Sequence, residues 1–142
     1  MRLATFTDYG LRILMRLADA PAQSFNSSEL AIQFNVSRHH LSKVVQDLVR
    51  GGFITSQRGS GGGIRLARDA QEITLGEVVR HLEQRFALVE CFKAKGSECV
   101  LLPHCKLRPQ LAAAREAFMQ TLDRTNIADC AWSGDSPLLG AA

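Results

Sequence analysis

No stretch of this chain approaches the roughly 20 consecutive apolar residues that a membrane-spanning helix needs. Its first residues turn polar almost at once and carry no apolar stretch, so neither a secretion signal nor a membrane anchor is expected, and a cytoplasmic location is. No two cysteines stand in the short C-x2-4-C spacing of zinc fingers and ribbons. The glycine-rich run at 59–63 is not followed by Gly-Lys-Ser/Thr or by a helix start, which excludes a nucleotide-phosphate loop. His39, His40, His81 and His104 show no Ser/Cys–base pairing, and no carboxylate pair falls in a catalytic motif, so an enzyme is not expected.

What remains is a chain of 142 residues, 46% of them hydrophobic, able to bury one core of ordinary size. The net charge of +3 is modest but uneven. Residues 28–68 hold six bases (Arg38, Lys43, Arg50, Arg58, Arg65 and Arg68) against Glu29 and Asp47, leaving the rest of the chain slightly acidic. A basic N-terminal half suits a polyanion, although a solvated helix face would look the same.

Periodicity predicts a first helix over 8–20, with Ile13, Leu14 and Leu17 inward, Thr7 or Asp8 as N-cap and Pro21 as its end. A short helix over 28–34 follows, capped by Asn26 or Ser27. Asn35 suits a left-handed turn, and Ser37 caps a helix over 38–50 that Gly51-Gly52 stops. Leu41, Val44 or Val45, Leu48 and Val49 form its expected inner face, and Arg38, His39, His40, Ser42, Lys43 and Gln46 its polar one. Two short helices joined by a tight turn, the second with a basic face, describe a helix-turn-helix. The β-like runs 53–57 and 64–66 flank Arg58-Gly59-Ser60 and the glycines, making a wing whose Arg58 and Arg65 face phosphate or the minor groove. The fold class is therefore mainly α with a small β-wing, a winged helix-turn-helix. Ser28, Ser37, Arg38, His39, His40, Ser42, Lys43, Gln46, Arg58, Gly59, Ser60 and Arg65 are its candidate DNA contacts.

Thr74 and Glu77 form a capping box, with Ile73 and Val78 as its hydrophobic staple, opening a helix to about residue 84. Beyond it, Cys91, Cys99 and Cys105 are spaced C-x7-C-x5-C, with Gly96 and Pro103 between them to forbid a regular helix. Three thiolates in one loop suit a soft metal or an iron–sulfur cluster; three unrelated, partly buried thiols are the plainer alternative. A long helix is expected over 106–124, with Pro109 in its first turn. Its seam of Leu107, Leu111, Ala114, Phe118 and Thr121 suits a partner helix, or else packing on its own domain. The first 84 residues are expected to complete the small core, and the tail from Trp132 to be disordered. The domain reading is thus a DNA-binding unit over 1–84, a cysteine loop over 85–105, a dimerisation helix over 106–130 and a tail over 131–142. Cys130 receives no role.

The opening Met-Arg-Leu-x-x-Phe-Thr-Asp-Tyr-Gly-Leu-Arg, the wing Gly-Ser-Gly-Gly-Gly-Ile-Arg-Leu and Val89-Glu90-Cys91-Phe92 together resemble the iron–sulfur winged-helix repressors. The nitric-oxide-sensing branch is the better match, over about residues 1–128. The resemblance implies Cys91, Cys99 and Cys105 as ligands of one cluster per subunit, [2Fe-2S] or [4Fe-4S]. The cluster-biogenesis branch carries a histidine three residues past the third cysteine, where this chain has Arg108. The nitric-oxide-sensing branch instead implies Asp8, from the other subunit, as fourth ligand, set against its plain role at a helix start; His104 and Glu98 are weaker candidates. Lys93, Lys95 and Lys106 would offset the cluster's charge. The implied protein is a homodimeric repressor on a palindromic double-stranded operator, released when nitric oxide damages the cluster. An iron- or redox-status regulator of the same fold is the nearest alternative, and a small iron–sulfur electron-transfer or carrier protein comes from another class.

Overall fold

The computed structural model describes residues 2–84, 87–93 and 96–132. Helix α1 (Thr5–Asp19) buries Ile13, Leu14 and Leu17, as its spacing predicts. It begins three residues earlier than expected, and neither Thr7 nor Asp8 caps it. Ala4 holds the N-cap position without a side-chain cap, and its N–H donates to Glu83 Oε1 at 2.8 Å. An acceptor 79 residues away thus does the work of a local cap, which nothing nearby in sequence announces. Asp8 lies in the first turn, where the helix dipole favours an anion, and pairs with Arg12 at 2.7 Å.

Helix α2 (Ser27–Gln33) starts from Asn26, whose side chain accepts from the Glu29 N–H while Glu29 reaches back to the Asn26 N–H. Asn35 follows in the left-handed region, φ 52°, and turns the chain into α3 (Arg38–Arg50). Ser37 caps α3 by accepting from the His40 N–H, worth about 1 kcal/mol, and Gly52 at φ 74° turns the chain away at its end. Leu41, Val44, Val45 and Leu48 are buried, each full burial of such a side chain contributing roughly 1.5–3 kcal/mol. Val49, expected inward, is 41% exposed: it lies in the last turn of α3, one residue before the helix ends.

Strands β1 (Ile54–Gln57) and β2 (Gly63–Leu66) pair antiparallel, with Ile54 opposite Leu66 and Gln57 opposite Gly63. A bridge between Phe25 and Ile64 anchors this hairpin to the α1–α2 connection. A turn of 3-10 helix (Ala70–Glu72) leads to α4 (Leu75–Leu82), opened by the Thr74–Glu77 capping box and burying Val78, Val79 and Leu82. Gly10 of α1 lies against Leu82, and a Cβ at position 10 would overlap the Leu82 Cδ1 atom.

Helix α5 (Leu107–Leu122) buries none of its residues within this chain. Past it the chain returns. Ile127 is fully buried and joins the core formed by α1 to α4 and the wing, so the first 84 residues do not close that core alone. Trp132 is docked, not disordered: its N–H donates to the Met15 carbonyl at 3.0 Å and its ring meets Phe34. Residues 133–142, the rest of the expected tail, lie outside the described residues.

Candidate nucleic-acid interface and cysteine loop

On α3, Arg38, His39, His40, Lys43 and Gln46 are exposed along one face, with Ser42 half-buried at its margin. Ser37 spends its hydroxyl on the helix cap, and Ser28 sits half-buried in the first turn of α2. At the wing, Arg58, Gly59 and Ser60 are exposed at the tip, and Arg65 is exposed on β2 opposite Thr55. Gly63 (φ 131°) lets the hairpin close on Ser24 and Phe25, where a side chain would press on the Phe25 carbonyl. Ser24 Oγ donates to the Gly62 carbonyl at 3.0 Å and fixes the base of the tip.

Not every base of the 28–68 segment is free for a polyanion. Arg50 pairs with Asp47, and Arg68 pairs with Glu77 at 2.9 Å while lying over the Phe53 ring. Among the described residues, Arg38, Lys43, Arg58 and Arg65 form no ion pair, and they concentrate positive charge on α3 and the wing. Burial pushes the Glu77 carboxyl up, but hydrogen bonds from Arg68 and from the Thr74 N–H outweigh it and hold the group below its ordinary range. Arg80 grips Asp123 with both guanidinium ends at 2.6 Å, and these hydrogen bonds likewise hold Asp123 low.

His81, which shows no catalytic partner in the sequence, has a structural one. Its Nε2 lies 2.9 Å from the Asp47 carbonyl, and its ring meets Phe53 edge-on, joining α4 to the C-terminal turn of α3. No local sequence signal marks this contact.

The cysteine loop is built from two turns of 3-10 helix, Glu90–Phe92 and Leu102–His104. Gly96 (φ 89°) bends the chain between Cys91 and Cys99, and the Cys99 N–H donates to Ser97 Oγ. Cys91, Cys99 and Cys105 are all free and half-buried, as is Cys130 in its own turn. Phe92 is flanked by the Arg108 and Arg115 guanidiniums, 5.9 and 5.6 Å from its ring centre. With Lys93 they line a cleft of about 530 Å³ beside Cys91, opposed by Glu116. The Arg108 and Arg115 contribution went unread, although their seven-residue spacing places both on one face of α5. Lys106 is exposed and Lys95 lies outside the described residues.

Donor chemistry here suits a thiophilic, anionic group: unpaired thiols in one loop with cations beside them. Convergence is another matter. Among the described residues no three His, Cys, Asp or Glu side chains meet in a metal-holding group. Asp8 is engaged with Arg12, and Glu98 and His104 are exposed. The described residues of one chain therefore do not present a closed ligand set.

The family model for Rrf2, described as an iron-dependent transcriptional regulator, matches residues 3–132. The chain belongs to the Rrf2 family. It is 47% identical over 130 residues to the HTH-type transcriptional regulator NsrR of Geobacillus kaustophilus, covering 91% of this chain and 88% of that one. Staphylococcus aureus CymR in its oxidized form superposes with a TM-score of 0.72 at 28% identity, over 96% of this chain and 100% of that one. T. potens IscR superposes with a TM-score of 0.72 at 21% identity, over 91% and 85%, a likeness of fold. This Rrf2 protein is accordingly a DNA-binding transcriptional regulator with a winged-helix fold, and not an enzyme. The carrier alternative falls with that membership. Among the described residues no helix is long and apolar enough to cross a membrane.

Proposed function

We propose that this Rrf2 protein is a nitric-oxide-responsive repressor of the NsrR type, cytoplasmic and homodimeric, whose grip on a palindromic operator depends on one iron–sulfur cluster per subunit. Cys91, Cys99 and Cys105 hold the cluster, and Asp8 of the partner subunit supplies the fourth ligand. When bound, the cluster supplies the centre that nitric oxide attacks. The chain's own residues do the rest. Arg38, His39, His40, Ser42, Lys43 and Gln46 address base edges and phosphates from α3 in the major groove, with Ser28 and Ser37 at the helix starts. Arg58, Gly59, Ser60 and Arg65 follow the backbone or minor groove from the wing. Helix α5 packs on its copy in the partner, which sets how far apart the two α3 helices stand. One helical turn of DNA, about 34 Å, is the spacing a palindrome requires.

The observation that carries this reading is the trio of free, half-buried thiols in one loop, with Lys93, Arg108 and Arg115 beside Cys91. Purification without air should give coloured protein. Cys99→Ala should bleach it and reduce binding to the non-specific level, a loss of ~10³-fold or more. A colourless wild type that still binds its operator tightly would overturn the reading. A second reading, iron or thiol-redox status as the signal, draws on the four free thiols and the likeness to CymR in its oxidized form. Anaerobic titration with nitric oxide, set beside chelator and peroxide, separates the two by which reagent releases DNA at the lowest dose.

A further inference from the structure

The chain beyond α5 is a strap laid across the DNA-reading half. Asp123 is gripped by Arg80, the Leu75 N–H donates to the Thr125 carbonyl, and the Ile127 N–H donates to the Ile73 carbonyl at 2.8 Å. Ile127 plugs into the core, and the turn Ala128–Cys130 runs along α1. The strap ends at Trp132, held to the Met15 carbonyl by its N–H, with its ring tilted 38° to Phe34 at 6.0 Å between centres. Phe34 is the C-cap of α2, and the next residue, Asn35, is the left-handed pivot from which α3 departs. A bulky aromatic ring therefore abuts the residue before the pivot, at the end of a path that starts on α5.

We propose that Trp132 is a positioning residue for operator reading: its ring braces Phe34 and thereby fixes the angle at which the Asn35 turn presents α3. The contact is with the protein, not with DNA. Aromatic pairs of this kind are individually modest, so its loss should weaken reading without unfolding the domain. The proposal rests on α3 being the reading helix, and the test separates the two.

The probes are a duplex that the anaerobically purified wild-type chain selects from a randomised pool, and a scrambled duplex of the same composition. Trp132→Ala should lower affinity for the selected duplex about three- to tenfold while leaving the scrambled one unchanged, and Trp132→Phe should restore it to within about twofold. Because Trp132 is the chain's sole tryptophan, the wild type carries its own probe. Acrylamide quenching of its emission should fall on binding the selected duplex and not the scrambled one. Wild-type affinity in Trp132→Ala, or an equal loss on both duplexes, would overturn the proposal. Where Trp132→Ala does not fold, Trp132→Leu and the quenching measurement decide, and identical quenching with both duplexes overturns it. Arg38→Ala is the control. If it keeps its preference for the selected duplex, the reading-helix assignment fails and takes the proposal with it; if it loses that preference while Trp132→Ala binds normally, the brace alone fails.

Discussion

The winged-helix half and the cysteine-loop half of this protein are finished to different degrees. In the first, Leu30, Leu41, Leu48, Ile54, Ile64 and Val78 are essentially inaccessible, and most helix starts are capped by a side chain. In the second, Val100, Leu101 and Leu107 are 89, 66 and 61% exposed, and no residue of α5 is more than half-buried. A half that has buried most of its apolar surface, Ile32 and Val49 apart, can hold its shape by packing alone. A half that has not must borrow stability from something that binds it, and its shape then depends on whether that binder is present.

The largest expected effect contrasts the two halves directly. Leu48→Ala should cost about 2–5 kcal/mol in a thermal or denaturant melt, the usual range for a large-to-small change in a closed core. Leu107→Ala should change the unfolding of the isolated chain by less than about 0.5 kcal/mol. It should instead raise the dimer dissociation constant in sedimentation equilibrium. Comparable melting losses from both would show that α5 is as closed as the core.

On DNA the contrast lies between helix and wing. Arg38→Ala should cost about 1–3 kcal/mol on the preferred sequence and relax discrimination there, whereas Arg58→Ala should weaken all sequences alike and reduce the salt slope by about 1. Titrations at several salt concentrations against matched and mismatched duplexes check both.

Smaller still is Thr74→Ala, which removes the α4 cap and should cost about 1 kcal/mol by denaturant melting. The smallest effect concerns acid. Glu77 and Asp123 are both held below the ordinary carboxylate range in the folded chain. The unfolded chain therefore takes up more protons as pH falls, so their stabilisation is present above the ordinary range and is lost as pH drops through the folded values. Melting temperatures followed from neutral pH into acid should decline less steeply in Asp123→Asn, with only a slight penalty at neutral pH because the pair is solvent-screened.

What could be read from sequence was what neighbouring residues decide. Ser37 and Gly51-Gly52 bracket α3, Thr74 and Glu77 open α4, and the glycine run between two short apolar stretches becomes the wing, all within a residue or two of expectation. Misreadings occurred where a distant residue intervenes. Glu83 completes the start of α1 and displaces the expected Thr7 or Asp8 cap. Ile127 and Trp132 come back from beyond α5, and His81 reaches the end of α3. At the cysteine loop, the residues themselves were legible as thiol donors, but their assembly was not, because one chain does not bring three donors together among its described residues.

Gly10 has a mechanical corollary. With only a hydrogen where other helices carry a methyl, α1 and α4 meet at a crossing without slack, and Leu82 fills the notch. Gly10→Ala would drive a methyl into Leu82 Cδ1, so α1 and α4 could keep this crossing only if the Leu82 side chain moved aside.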